Sequence, residues 1–330
     1  LRRQRNEWRS TMPERSIANG NSRDRRRGAT VGIAPLKRIG SLQDQDIAFG
    51  ITEEIASTLS RVRAITVVTS ASLGDFLEAE VQGTTTQSID FLLSGTIQSL
   101  GNNVRFNFHL ENHKTQSLVW ASSFHYENKD LFALQGEVAQ GVAASLELEV
   151  PIIEARKTSA EQREAAGAYE LVLKAIHPLH EFDEAGFLHA GELLEQAIAI
   201  DPEYAAAYTW LAFWNIFLVG QGWSSDPVSS INEARVAAEH AIRLDPNDAR
   251  GLTIAGHVRA FLDRRIDDAL VLHERALAIN PSLSLAWTLS GVAHAYAGEL
   301  VEARRKLERG YSLAPRDPHG FFRDGALLIV

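Results

Sequence analysis

The sequence predicts a small α/β N-terminal domain followed by an all-α solenoid of antiparallel helix pairs. Three observations carry that prediction. Four segments with helical periodicity end in proline, at Pro202, Pro246, Pro281 and Pro315, and the last three prolines lie 35 and 34 residues apart. A recurring period of that length, with one helix pair per repeat, marks an array in which each unit contacts only its neighbours. Between residues 29 and 150, β-branched and aromatic runs alternate instead with amphipathic stretches, the pattern of a mixed α/β layer. Residues 1–28 show neither period.

The 330 residues are 45% hydrophobic and 23% charged, a globular composition with room for about two domains. Cysteine is absent, which excludes a disulfide framework, a thiolate metal site and a thiol nucleophile. The net charge of −9 is unevenly spread. Residues 1–28 hold nine Arg against Glu7, Glu14 and Asp24, or +6, so the remaining residues carry −15. This stretch reads as an Arg-rich flexible linker. Its Arg23-Asp24-Arg25-Arg26-Arg27 block suits contact with DNA or an anionic membrane surface, or is simply solvated. No hydrophobic run reaches the ~20 residues of a membrane span, and the longest, Trp210 to Val219, is interrupted by Asn215. No signal-peptide pattern opens the chain. The expected compartment is the cytoplasm, or the periplasm if a transmembrane helix lies upstream. Leu1 at the start and the apolar Leu327-Leu328-Ile329-Val330 at the end lead us to expect a piece of a longer protein.

Within 29–150, Thr30 to Leu36 is a short apolar strand, and Ile51, Ile55 and Leu59 form one stripe of a helix over Gly50 to Arg61. Ala64 to Thr69 and Phe91 to Leu100 are further strands. Gly101, Asn102 and Asn103 turn the chain. Val104, Phe106, Phe108 and Leu110 then alternate with Arg105, Asn107, His109 and Glu111, so one face is buried and the other wet. Asn112 to Thr115 makes the next turn, and Leu118 to Tyr126 returns. Asp130 is placed to cap a helix carrying Leu131, Leu134, Val138 and Val142 on one stripe.

Four of these segments carry a resemblance. Gly40 to Ile55 reads GSLQDQDIAFGITEEI, Leu93 to Ile97 reads LSGTI, Thr115 to Trp120 reads TQSLVW, and Asp130 to Val138 reads DLFALQGEV. In this order and spacing they resemble the TolB-like (FlgO-like) α/β domain that precedes tetratricopeptide (TPR) arrays in bacterial winged-helix regulators and class III nucleotide cyclases. The corresponding family segments are GDPEQEYFADGITEDL, LEGSV, TGxxLW and DIFALQDEI. Phe49 stands where the family has Asp, and Gln116 where it has Gly. Over residues 78–90 a family helix is replaced by a Thr-rich stretch, so that helix is expected to be short or frayed. The family assigns no catalytic residues to this domain.

Residues 151–330 form the array: four repeats closed by the four prolines and a fifth that begins near Phe321 and Gly325. Each proline follows a helix end, where it cannot continue the helix. Ala190, Ala234, Ala269 and Ala303 open the second helices, with Ala197, Ala241, Ala276 and Gly310 seven residues on; Ala212, Gly256 and Gly291 are small residues of the first helices. Small side chains there let paired helices approach, where a larger one would overpack. The 44-residue interval from Pro202 to Pro246 is about ten too long, and Gly220 to Ser229 supplies the excess as a loop. Pro178 is expected to end or kink the first helix of the first repeat.

The resemblance to TPR arrays implies a concave groove lined by the first helices. Carried onto this chain, the lining comprises Thr209, Phe213 and Phe217, then Arg250, Thr253, His257 and Phe261, then Thr288, Val292 and Tyr296. It is apolar and aromatic and lacks the Lys and Asn pairs of a carboxylate clamp. The expected ligand is therefore a protein or peptide partner presenting an apolar helix or extended segment; the alternative is that Phe213 and Phe217 only pack between repeats. His177, His180 and His189, and separately His109, His113 and His125, lack the spacing of a metal site. Glu53-Glu54 and Asp267-Asp268 are neighbours that point apart on a helix. No nucleophile elbow, phosphate loop or dinucleotide fingerprint occurs. The sequence thus predicts no enzyme, cofactor or metal. The resemblance implies an interaction or sensory region of a bacterial transcriptional regulator, with two alternatives: the regulatory tail of a class III adenylate or guanylate cyclase, or a free-standing TPR adaptor.

Overall fold

A computed structural model describes residues 28–39, 45–85, 88–100, 103–127, 131–160, 167–181, 184–315, 317 and 320–328. The Arg-rich segment, the Gly101-Asn102 turn and the Asp130 cap lie outside the described residues.

The N-terminal half is organised by a six-stranded mixed sheet with strand order β3-β1-β4-β5-β6, and β2 also pairs with β4. Strand β1 (Ala29–Ile33) pairs in parallel with β3 (Ile65–Val68) and β4 (Phe91–Leu100), and β2 (Lys37–Ile39) in parallel with β4, while β4, β5 (Asn103–Asn112) and β6 (Ser117–Glu127) form an antiparallel meander. Every residue of β1 is buried, as a central strand covered on both faces requires. Along β5 the expected alternation holds: Val104, Phe106, Phe108 and Leu110 are buried. They form one core with Ile51, Ile55 and Leu59 of α1 (Gln45–Leu59) and with Leu134, Val138 and Val142 of α3 (Leu131–Ala160). A smaller cluster, Val68, Leu73 and Ile89, covers the sheet beside α2 (Ser70–Val81). That helix ends at Val81, short of the Thr-rich stretch.

Gln116, standing where the resembling family has Gly, adopts φ 53°. A side chain in that left-handed region costs roughly 1 kcal/mol, and Asn112 Oδ1 braces the turn by accepting from the amides of Lys114 and Thr115.

Helix α3 runs through position 150, where the domain boundary was expected, and reaches Ala160 with Pro151 inside it. Beyond it come α4 (Ala168–Glu181) and α5 (Glu184–Ile200), α6 (Ala205–Gly220) and α7 (Pro227–Leu244), α8 (Ala249–His257) and α9 (Ile266–Ile279), α10 (Ser284–Tyr296) and α11 (Leu300–Leu313), then α12 (Phe321–Leu327). Consecutive helices joined by short loops pack as hairpins, each against the next, which makes this half a TPR-like helical array. Pro202, Pro246, Pro281 and Pro315 each lie two residues past a helix end. The residue before three of them closes an Asx turn. Asp201, Asp245 and Asn280 each accept, through Oδ1, the amide two residues on, at 3.2, 3.1 and 3.0 Å.

The small residues sit where helices touch: Ala190, Ala197, Ala212, Ala234, Ala269, Ala276 and Ala303 are all fully buried. A Cβ built on Gly256 would lie 2.8 Å from the His273 ring, and one on Gly291 2.7 Å from Leu307.

Two local expectations change, and one feature is new. Helix α4 continues through Pro178 to Glu181 instead of ending there, with Leu179 anchored in the core. Burial of the segment outweighs the one hydrogen bond that proline removes. The long Pro202–Pro246 interval is absorbed partly by long helices, 16 residues in α6 and 18 in α7, and only partly by the loop, which Asp226 ends by capping the Ser229 amide. The 35-residue interval contains a π-helical turn, Val258–Leu262, directly after α8, closed by Arg264 at φ 59°. Such turns accommodate an extra residue within a helix.

Candidate functional site

The expected groove residues occupy one face of each first helix, because they recur every four residues on helices of 3.6 residues per turn. Thr209, Phe213 and Phe217 lie on α6, Thr253 and His257 on α8 with Phe261 on the π turn, and Thr288, Val292 and Tyr296 on α10. The structure brings them together, but not as an open trough. Thr209, Phe213, Phe217, Thr253, His257, Thr288 and Val292 are buried; Phe261 is partly buried and Tyr296 keeps 39% of its surface.

Two unlike environments meet this face. At the C-terminal ends of the first helices it is aromatic. Phe213 and Phe217 pack edge-on with centroids 4.6 Å apart, and His257 stacks on Phe261 at 5.6 Å and 8°. Phe321 and Phe322 of α12 cover them. Phe322 meets Phe217 at 5.3 Å and His257 at 5.2 Å, and Phe321 meets Phe217 at 5.7 Å. Both ring nitrogens of His257 and of nearby His273 lack hydrogen-bond partners among the described residues. Burial pushes His257 down to about 4. Burial, reinforced by His257, Lys306 and His294, pushes His273 down to about 3. Both are therefore neutral packing groups near pH 7.

At the N-terminal ends the face is polar and belongs to the α/β domain as well. Glu147, buried on α3, accepts from Arg250 Nη2 at 3.2 Å and from Asn280 Nδ2 at 3.3 Å. Arg250 also lies over the Trp210 ring, 5.1 Å from its centroid. Burial pushes the Glu147 carboxyl up, against the opposing pull of Arg250. Asp248, which caps α8 by accepting the Arg250 amide, is likewise pushed up by burial. Arg63 bridges to Asp245 at 3.1 Å, and Arg309 bonds Gln140. Between the two halves here lies a cleft of about 420 Å³, bordered by Arg61, Tyr169, Tyr204 and Leu283 as well as the Glu147 cluster.

The remaining candidates do not assemble. His109, His113 and His125 diverge: His113 faces Glu80 at 3.6 Å, and His125 Nδ1 accepts from Arg105 at 3.3 Å. His189 pairs with Glu192 on the surface, and the side chains of His177 and His180 lie outside the described residues. Glu53 accepts from Ser70, and Asp268 pairs with Arg265. Among the described residues no three His, Asp or Glu converge as metal ligands, and no helix is long and apolar enough to cross a membrane.

Sequence reasoning missed Glu147, whose partners lie more than a hundred residues away. It also missed the role of Phe321 and Phe322, although two adjacent phenylalanines in the polar run from Arg316 to Asp324 were a usable signal.

With this geometry in place, the chain can be set beside known proteins. No protein-family profile matches it. Over 244 residues it is 25% identical to "Putative adenylate cyclase 3" of Rhizobium meliloti (strain 1021); the match takes in 73% of this chain and 41% of that protein. The chain thus spans about two fifths of the length of that relative. Among solved structures it is similar to a thermophilic TPR protein of Thermus thermophilus, at 21% identity and TM-score 0.41, over 60% of this chain and 94% of that one. It is also similar to PelC of Paraburkholderia phytofirmans, at 15% identity and TM-score 0.28, over 37% of this chain and 89% of that one. A third similarity is to TolB of Acinetobacter baumannii, at 12% identity and TM-score 0.25, over 37% and 28%.

Proposed function

We propose that this chain is a non-catalytic, partner-binding regulatory region of a larger cytoplasmic bacterial signalling protein. The observation that carries the reading is the aromatic first-helix face. An array whose helices α6, α8 and α10 present rings at one end, while α3 anchors the other end through Glu147, offers a recognition surface held in fixed orientation to the α/β domain. The ligand is a protein or peptide segment.

For the output module, the resemblance to the tails of winged-helix regulators argues for a DNA-binding domain, to which the Arg-rich residues 1–28 would add phosphate contacts. The match to part of a putative adenylate cyclase favours the other order. That match leaves more than half of the relative's length outside, room for a catalytic domain. We therefore put the regulatory tail of a nucleotide cyclase first and the winged-helix regulator second. The coding sequence upstream of Leu1 separates them: a domain with paired metal-binding Asp supports the cyclase, a recognition-helix pattern the regulator, and a start codon near Met12 a free-standing adaptor.

Partner binding is tested with Phe261→Glu/Tyr296→Glu. Both residues border the aromatic face without being fully buried, so the fold is expected to survive. Proteins captured by the wild-type chain should be lost from the variant at unchanged helical content; identical capture by both would sink the reading.

A further inference from the structure

In an array with nearest-neighbour contacts only, the first helix of a fifth repeat has no cause to touch the second. One end of α12 behaves as such a helix should: Ala326 packs with Val292 and Leu307 of the adjoining pair. Its other end does not. Phe321 and Phe322, 4.6 Å apart, reach past that pair to rings on α6 and α8. All three contacts are edge-on, at 79°, 71° and 80°. Phe321 keeps 38% of its area exposed, while Phe322 is partly buried against the main core of the array. The next residue, Arg323, lies over the Tyr311 ring at 4.7 Å. The receiving face keeps buried polar atoms, both nitrogens of His257, that no group on α12 satisfies.

We propose that this aromatic end is a docking surface for a partner helix bearing two adjacent aromatic residues followed by a basic one. Helix α12 is the chain's own occupant of that surface, which the partner helix displaces. The inference rests on the interaction-region reading above and gives it a partner chemistry. Because α12 competes in cis, the surface is available only in the fraction of molecules where α12 has lifted; if that fraction is about a tenth, a ligand in trans binds about 10-fold more weakly.

The test uses the full chain, its Phe321→Ala/Phe322→Ala variant and a fluorescent peptide of residues 317–328. The variant should bind the peptide about 10-fold more tightly than the wild-type chain, and a peptide with both phenylalanines replaced by alanine should bind neither. Equal affinity for the two chains, no binding to a helical variant, or equal binding of the alanine peptide overturns the proposal. A second measurement needs no variant. Excess peptide should accelerate hydrogen exchange in α12 of the wild-type chain, and unchanged exchange at the highest peptide concentration also overturns it. Concentration-dependent dimers of the wild-type chain that the variant does not form would assign the surface to a second copy instead. Failure here, with capture still sensitive to Phe261→Glu/Tyr296→Glu, removes only this inference; loss of that sensitivity removes the broader reading.

Discussion

The two ends of the same helical face are held by opposite means. At the N-terminal end, three directional groups, Glu147, Arg250 and Asn280, tie the array to the α/β domain. At the C-terminal end, rings from α6, α8 and α12 meet edge-on, while buried imidazole nitrogens go unpartnered. A buried ion pair adds little net stability once desolvation is counted, yet removing one member is costly, so it fixes register and orientation. Aromatic contacts are worth about 0.5–1.5 kcal/mol each beyond the area they bury. On the proposal above, one end is the permanent anchor and the other the exchangeable one.

The largest effect should come from breaking the permanent end. Glu147→Ala leaves the Arg250 guanidinium without its acceptor, and its side chain is only 20% exposed. Removing one partner of a buried pair typically costs about 3 kcal/mol or more. Chemical denaturation should show a loss of that order, with sheet and array signals parting into two transitions if Glu147 couples the halves. A single transition at the wild-type midpoint would refute that role.

Asn280→Asp sharpens the same point. The Asx turn survives, since Asp201 and Asp245 form it elsewhere. But a second carboxylate now faces Glu147, where Asn280 Nδ2 had donated at 3.3 Å. We expect a loss of about 2 kcal/mol at pH 7, the cost of an unsatisfied buried charged group. The loss should shrink as pH falls and the facing carboxylates share a proton. A pH-independent penalty would mean the residue acts only through its turn.

These contacts mark the limit of what was legible. The repeat could be read because proline and small residues recur where helix ends and close approaches demand them, and Ala190, Ala234, Ala269 and Ala303 fill those places. The meander could be read because Phe106 and Phe108 alternate with polar residues on a half-wet strand. Glu147 could not, because nothing local distinguishes it from other helical acids; its partners, Arg250 and Asn280, are 103 and 133 residues away. The passage of α4 through Pro178 was hidden for the same reason, since tertiary burial overrode a local rule. That the expected groove residues share one face of the first helices was legible, but not that another part of the chain covers it.

Phe321→Ala/Phe322→Ala should cost about 1.5 kcal/mol, three edge-on contacts at about 0.5 kcal/mol each, the low end of the range because Phe321 and Phe322 are themselves not fully buried. The α/β domain and the Glu147 end should keep their hydrogen-exchange protection. If protection falls at Glu147 as well, the two ends are one cooperative unit and the division between them fails.

Acid should drive the two ends in opposite directions. In the folded chain His273 is held down to about 3, whereas its ordinary value is 6.5. Below pH 6.5 the unfolded chain therefore binds a proton that the folded chain refuses. The stability tied to His273 is complete above pH 6.5 and falls with pH until about 3. Glu147 has the reverse sign. Its folded value is raised from 4.5, so just above pH 4.5 the folded chain keeps a proton the unfolded chain has released, and stability grows as pH falls through that window. His273→Leu isolates the first effect. Misfit against Gly256 shifts its stability by a constant, but only wild type carries the titration. Between pH 7 and pH 5.5 wild type should lose about 1 kcal/mol relative to the variant. Parallel stability curves across that range would show that the His273 ring is already charged or solvated in the folded protein, and that the aromatic end is wetter than its packing implies.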